Sequence, residues 1–244
     1  MTYETASSSE IIKMRLDKEN SVMKSDRAFL LIDMQKEDGF SVEGFNAAVE
    51  KAGPLLDALR KQGIPILYSK HVNRADGVGL PGGEPLDPSG KPATYCSATN
   101  KVDIIDALSP QAGDIVFEKN RYSCFFQSNL DQLLKGLGVK HLVIGGVLTD
   151  VCVMTTVFDA YFRDYQVTLI EDICGATTEA AHYSSLLLMA NWVYDLEMFT
   201  SEQFLRSLRG EEFSAFKAAI PDEFAHTPDK LGDAIKKLRT KLNK

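Results

Sequence analysis

Three residues that could together carry out nucleophilic chemistry each stand at or just after the end of a predicted strand. Asp33 closes the apolar segment AFLLID, Lys119 closes DIVFEK, and Cys152 follows HLVIGGV after a short turn. A thiol at a helix N-terminus, beside an ammonium group, is favoured as the reactive thiolate. A nearby carboxylate can accept the thiol proton and return it to a leaving nitrogen. These residue types indicate attack on a carbonyl carbon, with the backbone N–H groups of residues 147–152 available to the carbonyl oxygen.

Each of the three residues also has an ordinary structural explanation when it is taken alone. A cysteine among apolar neighbours is usually a core residue, an aspartate at a strand end often caps a helix, and a lysine after a strand is usually solvated. The functional interpretation depends on all three meeting at one place, so the elements that carry them decide it.

Strands and helices alternate along the chain in the order typical of a parallel sheet. Predicted strands cover residues 28–33, 64–69, 114–119, 141–147, 166–172 and 193–199. Predicted helices cover residues 45–61, 128–135, 151–163 and 178–190, and another begins near 201. The alternation predicts an α/β fold, a doubly wound three-layer α/β/α sandwich with a central, mostly parallel six-stranded sheet. Ligands of such sheets bind beyond the carboxyl ends of the strands, so Asp33, Lys119 and Cys152 are expected on one rim.

Three regions differ in composition from this alternating core. Residues 1–25 are polar and are expected to form an N-terminal arm, residues 26–210 the α/β domain, and residues 211–244 a C-terminal helical extension. In that extension a mixed helix is predicted to end at Pro221, and an amphipathic helix from Leu231 is expected to dock on its own chain or on a neighbouring subunit. Residues 73–99, rich in glycine and proline, predict a long loop, and such loops are uncommon unless functional.

Composition and charge exclude several classes of function. The chain has 44% hydrophobic and 25% charged residues and a net charge of -7. A globular protein with no basic surface is a poor partner for nucleic acid or an anionic membrane, so a small-molecule partner is expected. No apolar run has the length of a membrane span or a signal peptide, which favours the cytoplasm. The four cysteines lack the spacing of metal or disulfide motifs and are expected to be free thiols.

The segments FLLIDMQ, VFEKNRYSCFFQSNLDQLL and LVIGGVLTDVCVMTTVFDAYFRDYQVTLIEDICGATTEAAH resemble the isochorismatase-like cysteine hydrolases in order and spacing. The resemblance implies that Asp33 is the general acid/base, Lys119 an orienting cation and Cys152 the nucleophile. It also implies a cis peptide between Val147 and Leu148, with the backbone N–H groups of Leu148 and Cys152 forming an oxyanion hole. The implied reaction is hydrolysis of a small amide or ureido compound, such as an N-carbamoyl compound, through a thioester-type intermediate.

Departures from relatives leave three alternatives open. Nicotinamidases carry an Asp-x-His and a further histidine as metal ligands after the second strand, whereas this region offers only His71. A nicotinamidase-like amidase is therefore disfavoured, and neither a metal nor another cofactor is expected. Isochorismatases cleave a vinyl ether without needing a thiol, so Cys152 favours the amidohydrolases. A non-catalytic binding protein on the same fold is disfavoured because all three reactive positions are present.

Other residues are candidates to bind the substrate or line its pocket. His71 could face the pocket or make a structural hydrogen bond, and the aromatic residues could form a wall or belong to the core. Cys124 is close enough in sequence to line the pocket, Cys174 is expected to be structural, and His182 is expected to pack or cap a helix. Relatives are commonly homodimers or tetramers, and a homo-oligomer is expected. The substrate-binding candidates are Gln35, His71, Asn73, Tyr122, Phe125, Phe126 and Thr149.

Overall fold

The computed structural model describes residues 26–242, so the predicted N-terminal arm lies outside the described residues. Its strands are β1 (Arg27–Ile32), β2 (Ile66–His71), β3 (Ile115–Lys119), β4 (His141–Val147), β5 (Gln166–Gly175), β6 (Glu197–Phe199) and β7 (Phe216–Lys217). Its α-helices are α1 (Phe45–Lys61), α2 (Leu130–Leu137), α3 (Met154–Tyr161), α4 (Glu179–Trp192), α5 (Ser201–Leu208) and α6 (Leu231–Leu242). A π-helix (Thr149–Val153) precedes α3. The long loop of residues 73–99 contains isolated bridges only.

The sheet has the order β3-β2-β1-β4-β5-β6-β7, and β1 to β6 are mutually parallel. The predicted α/β architecture is confirmed, with one strand more than expected. The prediction of a helix ending at Pro221 is wrong, because Phe216 forms the short strand β7, antiparallel to β6. Phe216 is 2% exposed, and burying its ring at the sheet edge outweighs the helical pattern around it.

Alternate side chains of the central strands enter two separate cores, one on each face of the sheet. Leu30 and Ile32 of β1 belong to one core, and Phe29 and Leu31 to the other. This alternation is the period of two that a strand imposes, and it explains why a strand buried on both faces has a continuously apolar sequence. The helices on the two faces complete the three layers.

The C-terminal helix α6 docks on its own chain. Leu238 and Leu242 are buried in the same core as Leu186 and Leu187 of α4, and the Arg239 guanidinium lies 5.2 Å from the centre of the Tyr183 ring. Of the two alternatives for this helix, the structure has the intramolecular one. Within residues 26–242, no helix combines the length and apolar character needed to cross a membrane.

The close approach of β4 to the end of β1 requires glycine at position 146. Gly146 is paired with Ile32 and has a φ of 122°, a conformation that side chains strongly disfavour. A Cβ atom at this position would lie 2.1 Å from the Ile32 carbonyl oxygen, which is backbone and cannot move aside. The absence of a side chain lets the turn after β4 lie beside Asp33.

We therefore expect Gly146→Ala to destabilise the fold by at least about 3 kcal/mol, since overpacking and a strained φ each cost on the order of 1 to 3 kcal/mol. Urea denaturation monitored by circular dichroism measures this. Gly136→Ala is the matched control, because Gly136 lies in α2 with open space around its Cα and should gain up to about 1 kcal/mol. Equal stability of the two variants would contradict the steric argument.

Candidate active site

The three predicted residues lie on one rim of the sheet, at the carboxyl ends of strands among the four neighbours β3, β2, β1 and β4. β1, which lies between β2 and β4, ends at Asp33, and the turn after β4 carries Cys152. Lys119 ends β3, two strands away from β1, and is paired with His71 at the end of β2. The long Lys119 side chain crosses β2 to reach Asp33. Residues that are far apart in the sequence thus converge because parallel strands share one carboxyl edge.

Asp33 is held in place by the neighbouring strand β2. Its backbone has a φ of 51°, in the left-handed region that aspartate tolerates better than most residues. The Ser69 hydroxyl donates to Asp33 Oδ1 at 2.6 Å and accepts from the Asp33 backbone N–H at 3.2 Å. These bonds turn the carboxylate inward and leave its second oxygen for Lys119.

Lys119 forms a completely buried ion pair with Asp33. Its Nζ lies 2.6 Å from Asp33 Oδ2, and neither side chain is exposed to solvent. The same ammonium donates to the Arg121 carbonyl oxygen at 3.1 Å and lies 3.3 Å from His71 Nδ1 and 3.5 Å from Cys152 Sγ. Every proton of the ammonium group therefore has an acceptor within the protein.

The charge on Lys119 is secure despite its burial. Desolvation alone would lower the pKa of this lysine, but the charge of Asp33 outweighs it and raises the pKa above its ordinary value. Lys119 therefore holds a positive charge beside Cys152 throughout the physiological pH range and is a poor proton donor.

Cys152 lies in the π-helix that follows β4. The peptide bond between Val147 and Leu148 is cis. The Leu148 carbonyl accepts from the N–H groups of Val151 and Val153, whereas the Leu148 N–H has no acceptor among residues 26–242. Leu148 and Cys152 both line the same cavity. A residue with an unpaired backbone donor and the residue that carries the thiol therefore border one space.

The protonation of Cys152 differs from the expectation of a thiolate at rest. Burial raises the pKa of the thiol well above its ordinary value, and the charge of Asp33 raises it further, while Lys119 offsets part of the effect. The Lys119–Asp33 pair has no net charge, so desolvation decides the balance. The thiol keeps its proton in the resting site, and an oxygen of the Asp33 carboxylate lies within 4.8 Å of the sulfur.

His71 is neutral at physiological pH. Burial, followed by the charge of Lys119, lowers its pKa to about 4. Its Nδ1 consequently accepts from Lys119, and its ring lies 4.8 Å from that of Tyr95. His71 therefore supports the ion pair and forms part of the cavity floor.

One potential ligand atom from each of Asp33, His71 and Cys152 lies within 4.8 Å of the others, a spacing that could suit a metal ion. The Lys119 ammonium contacts all three groups and already provides a positive charge at that point. A metal ion held by these atoms would have to displace it. The chemistry of the donor set thus favours the ammonium over a metal.

The thiol opens into a cavity of about 450 Å³, which suits a small molecule. The long loop forms one wall through Pro81–Pro85, and Leu148 and Val151 form another. Apart from Cys152, the lining residues with polar or aromatic side chains are Phe40, His71, Glu84, Thr94, Tyr95, Asn120, Arg121 and Tyr122. Of the predicted binding candidates, His71 and Tyr122 contribute to this surface.

Two of the polar binding candidates serve structural roles instead. Gln35 is buried, donates to the carbonyls of His71 and Val102, and accepts from the His71 N–H. Asn73 is also buried and donates to Glu84 Oε1 at 3.0 Å and to the Thr94 carbonyl. Neither residue lines the cavity, because both side chains hold backbone and loop segments in place, and Asn73 orients Glu84. Their role as substrate ligands stays a prediction.

Three further candidates lie away from the cavity. Phe125 is 5% exposed and packs in the core against Tyr165, whereas Phe126 is 47% exposed on the surface. Thr149 is completely buried behind the cysteine turn and is hydrogen-bonded to His182. The two phenylalanines do not line the cavity because consecutive residues of a turn point in different directions. Their closeness to Lys119 in the sequence therefore does not place them beside Lys119 in the structure.

The other cysteines and His182 are also placed by the structure. Cys124 is buried in the core and does not line the cavity, and desolvation raises its pKa to about 11 despite the opposing charge of Lys119. Cys174 is buried and donates to the Ile170 carbonyl. His182 is not a helix cap, because Thr178 caps α4, and its ring instead contacts Thr149.

Sequence reasoning missed several residues of the site. Ser69 ends the predicted strand that neighbours the strand of Asp33, so its position on the same rim could have predicted its place in the site. Tyr95, Glu84 and Arg121 belong to loops, where no periodicity indicates direction. Tyr95 has a φ of 52°, and its backbone N–H donates to the Glu37 carboxylate. This contact and the hydrogen bond from the Asn73 N–H to the Tyr95 carbonyl anchor the backbone of Tyr95, whose ring lies beside His71.

Comparisons with known proteins identify sequence relatives. Residues 27–198 match the profile of the isochorismatase domain. The ureidoacrylate amidohydrolase RutB of Agrobacterium fabrum is 28% identical over 198 residues, which cover 72% of this chain and 84% of the relative. That of Caulobacter segnis is 31% identical over 170 residues, covering 59% and 70%.

Solved structures have the same architecture. A cysteine hydrolase from Pseudomonas syringae superposes with a TM-score of 0.69 at 25% identity and covers 78% of this chain and 95% of its own. The N-carbamoylsarcosine amidase of Thermoplasma acidophilum has a TM-score of 0.59 at 25% identity, with coverage of 72% and 96%.

The charges around Cys152 predict opposite effects of two substitutions on thiol reactivity. Because Asp33 raises and Lys119 lowers the pKa of Cys152, Asp33→Asn should move the pH midpoint of alkylation down, and Lys119→Ala should move it up. The wild-type midpoint should lie above the ordinary value of about 8.5. Iodoacetamide labelling against pH, read by mass spectrometry, measures these midpoints.

Lys135→Ala is the control, because Lys135 is an exposed lysine paired with Asp131 on α2 and should leave the profile unchanged. Circular dichroism establishes that each variant folds. Shifts of Asp33→Asn and Lys119→Ala in the same direction would contradict the electrostatic assignment.

Proposed function

The chain belongs to the isochorismatase domain family, and on that premise we propose that it is a cysteine-dependent hydrolase of a carbon–nitrogen bond in a small amide or ureido compound. The observation that carries the proposal is the contact of Cys152 with the buried Lys119–Asp33 pair at the base of a cavity. A nucleophile, a proton acceptor and a fixed cation are the groups that acyl transfer from nitrogen requires.

In the first half of the reaction, the Cys152 sulfur attacks the substrate carbonyl carbon while its proton passes to the Asp33 carboxylate. Because the thiol is protonated at rest, this transfer accompanies the attack. The carbonyl oxygen becomes negative and accepts from the Leu148 N–H, with the Cys152 N–H as the second proposed donor. The intermediate collapses when Asp33 protonates the nitrogen, and an amine or ammonia leaves behind a thioester.

In the second half, water attacks the thioester carbonyl carbon. Asp33, again a carboxylate, accepts the water proton and returns it to the sulfur as the carbon–sulfur bond breaks. The products are an acid and the restored Cys152 thiol. Lys119 transfers no proton in this scheme, since its raised pKa keeps it charged, and it instead stabilises negative charge on Asp33 or the sulfur.

The cavity supports a substrate that carries a carboxylate as well as the reacting carbonyl. Arg121 lines it, and its Nη1 donates to the Gly79 and Asn120 carbonyls, which hold the guanidinium in place. Within residues 26–242 no carboxylate pairs with this guanidinium. The similarity to proteins named for ureidoacrylate and N-carbamoylsarcosine agrees with a ureido or N-carbamoyl acid.

We also propose a cytoplasmic location and a homo-oligomer, dimer or tetramer. Exposed aromatic side chains that contact the Tyr161 ring support subunit association: Phe162 is 70% exposed and Tyr194 48%. Contiguous apolar surface of this kind is commonly covered by another subunit.

The proposal predicts release of ammonia or an amine that depends on both Cys152 and Asp33. A screen of small amides, ureido acids and N-carbamoyl amino acids should find a substrate, and Cys152→Ala should abolish turnover. Asp33→Asn should lower kcat by about 100-fold to 10,000-fold, since it removes both proton transfers. A Cys152→Ala variant that keeps full activity, or turnover confined to a vinyl ether such as isochorismate, would overturn the proposal.

Arg121 should discriminate between charged and neutral substrates. Arg121→Gln should lower kcat/KM for a ureido acid by about 10-fold to 100-fold, the loss of one charged hydrogen-bonding group, but should spare the corresponding neutral amide. The Arg121 carbonyl that binds Lys119 is unaffected by the substitution. Arg74→Gln is the control, since Arg74 lies on the long loop that forms a wall of the cavity but pairs with Asp76. Equal losses for both substrate types would contradict carboxylate recognition.

A further inference from the structure

A single hydrogen bond ties the turn that carries Cys152 to helix α4. Thr149 Oγ1 lies 2.9 Å from His182 Nδ1, and Thr149 is completely buried. Apart from the contacts of the Cys152 thiol, it is the one side-chain hydrogen bond in residues 26–242 that joins the π-helix (Thr149–Val153) to an element other than α3. The orientation of the turn therefore depends on this bond more than on any other polar contact of its side chains.

The His182 ring is itself fixed on its opposite side. Its Nε2 lies 3.7 Å from Glu171 Oε2, on the irregular end of β5, and the ring meets the edge of Tyr183. A carboxylate can only accept, so its charge near Nε2 favours the tautomer in which Nδ1 accepts from the Thr149 hydroxyl. The series of contacts from Glu171 through His182 to Thr149 thus places an acceptor, Nδ1, opposite the Thr149 hydroxyl.

His182 cannot act by touching the substrate. Its side chain lines a second cavity together with Glu171 and Arg239, and the buried Thr149 separates it from the space in front of Cys152. Thr149, however, immediately follows Leu148, which lines the active-site cavity and whose N–H has no acceptor among residues 26–242. A shift of Thr149 would move this donor.

We infer that His182 is a positioning residue, which acts through Thr149 to aim the Leu148 N–H at the oxygen of the attacked carbonyl. The inference rests on the proposed function, because it assigns His182 to the oxyanion hole of that reaction. Displacing a preorganised donor by a fraction of an ångström weakens the developing oxyanion's hydrogen bond without changing the thiol itself. His182 should therefore affect carbonyl addition at Cys152 but not alkylation of Cys152.

Two conservative variants separate the two nitrogens of the ring. The side-chain amide of asparagine occupies the place of Nδ1, so His182→Asn can still accept from Thr149. Glutamine reaches the place of Nε2 instead, so His182→Gln keeps a group facing Glu171 and loses the Thr149 bond. Tyr183→Phe is the matched control, since it removes a polar group from the next residue of α4, which lines the same second cavity.

The assay compares two reagents at Cys152 and needs no identified substrate. Iodoacetamide alkylates the sulfur at a methylene carbon and develops no oxyanion. With acetaldehyde, the sulfur adds to the carbonyl carbon. The carbonyl oxygen becomes an oxyanion and then takes up the proton that the thiol has lost. Mass spectrometry gives the concentration of acetaldehyde that halves the iodoacetamide labelling rate of Cys152. This concentration measures how strongly the oxyanion hole stabilises the adduct.

We expect His182→Ala and His182→Gln to require about 10-fold to 100-fold more acetaldehyde than the wild type, below or near the effect of deleting a donor. Their labelling rates without acetaldehyde should match the wild type. His182→Asn and Tyr183→Phe should behave as wild type in both measurements. Thr149→Val should reproduce the defect of His182→Ala, and the double variant should be no worse, because both break the same bond.

The outcomes distinguish this inference from the proposed function. If His182→Gln binds acetaldehyde as wild type does, or if His182→Asn is as defective as His182→Ala, the positioning role is overturned while the hydrolase proposal stands. A wild-type protein unprotected by acetaldehyde overturns the oxyanion hole and the role of His182 with it. A Cys152 that iodoacetamide never labels overturns the proposed function instead. Thermal unfolding of each variant identifies any that fail to fold. If His182→Ala fails to fold, the comparison of His182→Asn with His182→Gln still tests the positioning role.

Discussion

The buried ion pair between Lys119 and Asp33 is the interaction on which the rest of the site depends. Removing two charges from water is expensive, and their attraction repays the cost only when the remaining hydrogen-bonding groups are satisfied. Ser69 supplies a donor to the carboxylate, and the Arg121 carbonyl and neutral His71 accept from the ammonium. The two buried charges thus require polar partners around them, and the neighbouring strands supply these partners.

The same pair determines the state of the thiol. Because its two charges nearly cancel at Cys152, burial dominates and the thiol is protonated at rest. A nucleophile of this kind is activated only when a substrate approaches and Asp33 can accept the proton. The arrangement links the nucleophile to its proton acceptor, and it requires close packing at the end of β1, where Gly146 removes the steric obstacle between Ile32 and the cysteine turn.

Recognition depends on a different part of the chain from the reacting groups. The reacting groups stand at strand ends and in the turn after β4, where register controls their positions, whereas the long loop and Arg121 shape the cavity. Tertiary contacts hold this wall: the Glu37 carboxylate accepts from the Tyr95 N–H, and Asn73 orients Glu84. A rigid rim with a wall made of loops lets substrate preference change without disturbing the ion pair.

The sequence by itself determined the alternation of strands and helices, the parallel sheet and the rim on which Asp33, Lys119 and Cys152 would meet. These follow from periodicity and from the rule that parallel strands share a carboxyl edge, both of which are local or topological properties. It predicted a helix where β7 lies, and it did not indicate that Gln35, Asn73, Thr149, Phe125 and Phe126 lie outside the cavity lining, since the direction of a side chain in a loop or turn depends on contacts from distant segments. Only the tertiary structure decided the protonation of Cys152 and the link from Thr149 to His182, because burial and the summed field of neighbouring charges exist only once the chain is folded.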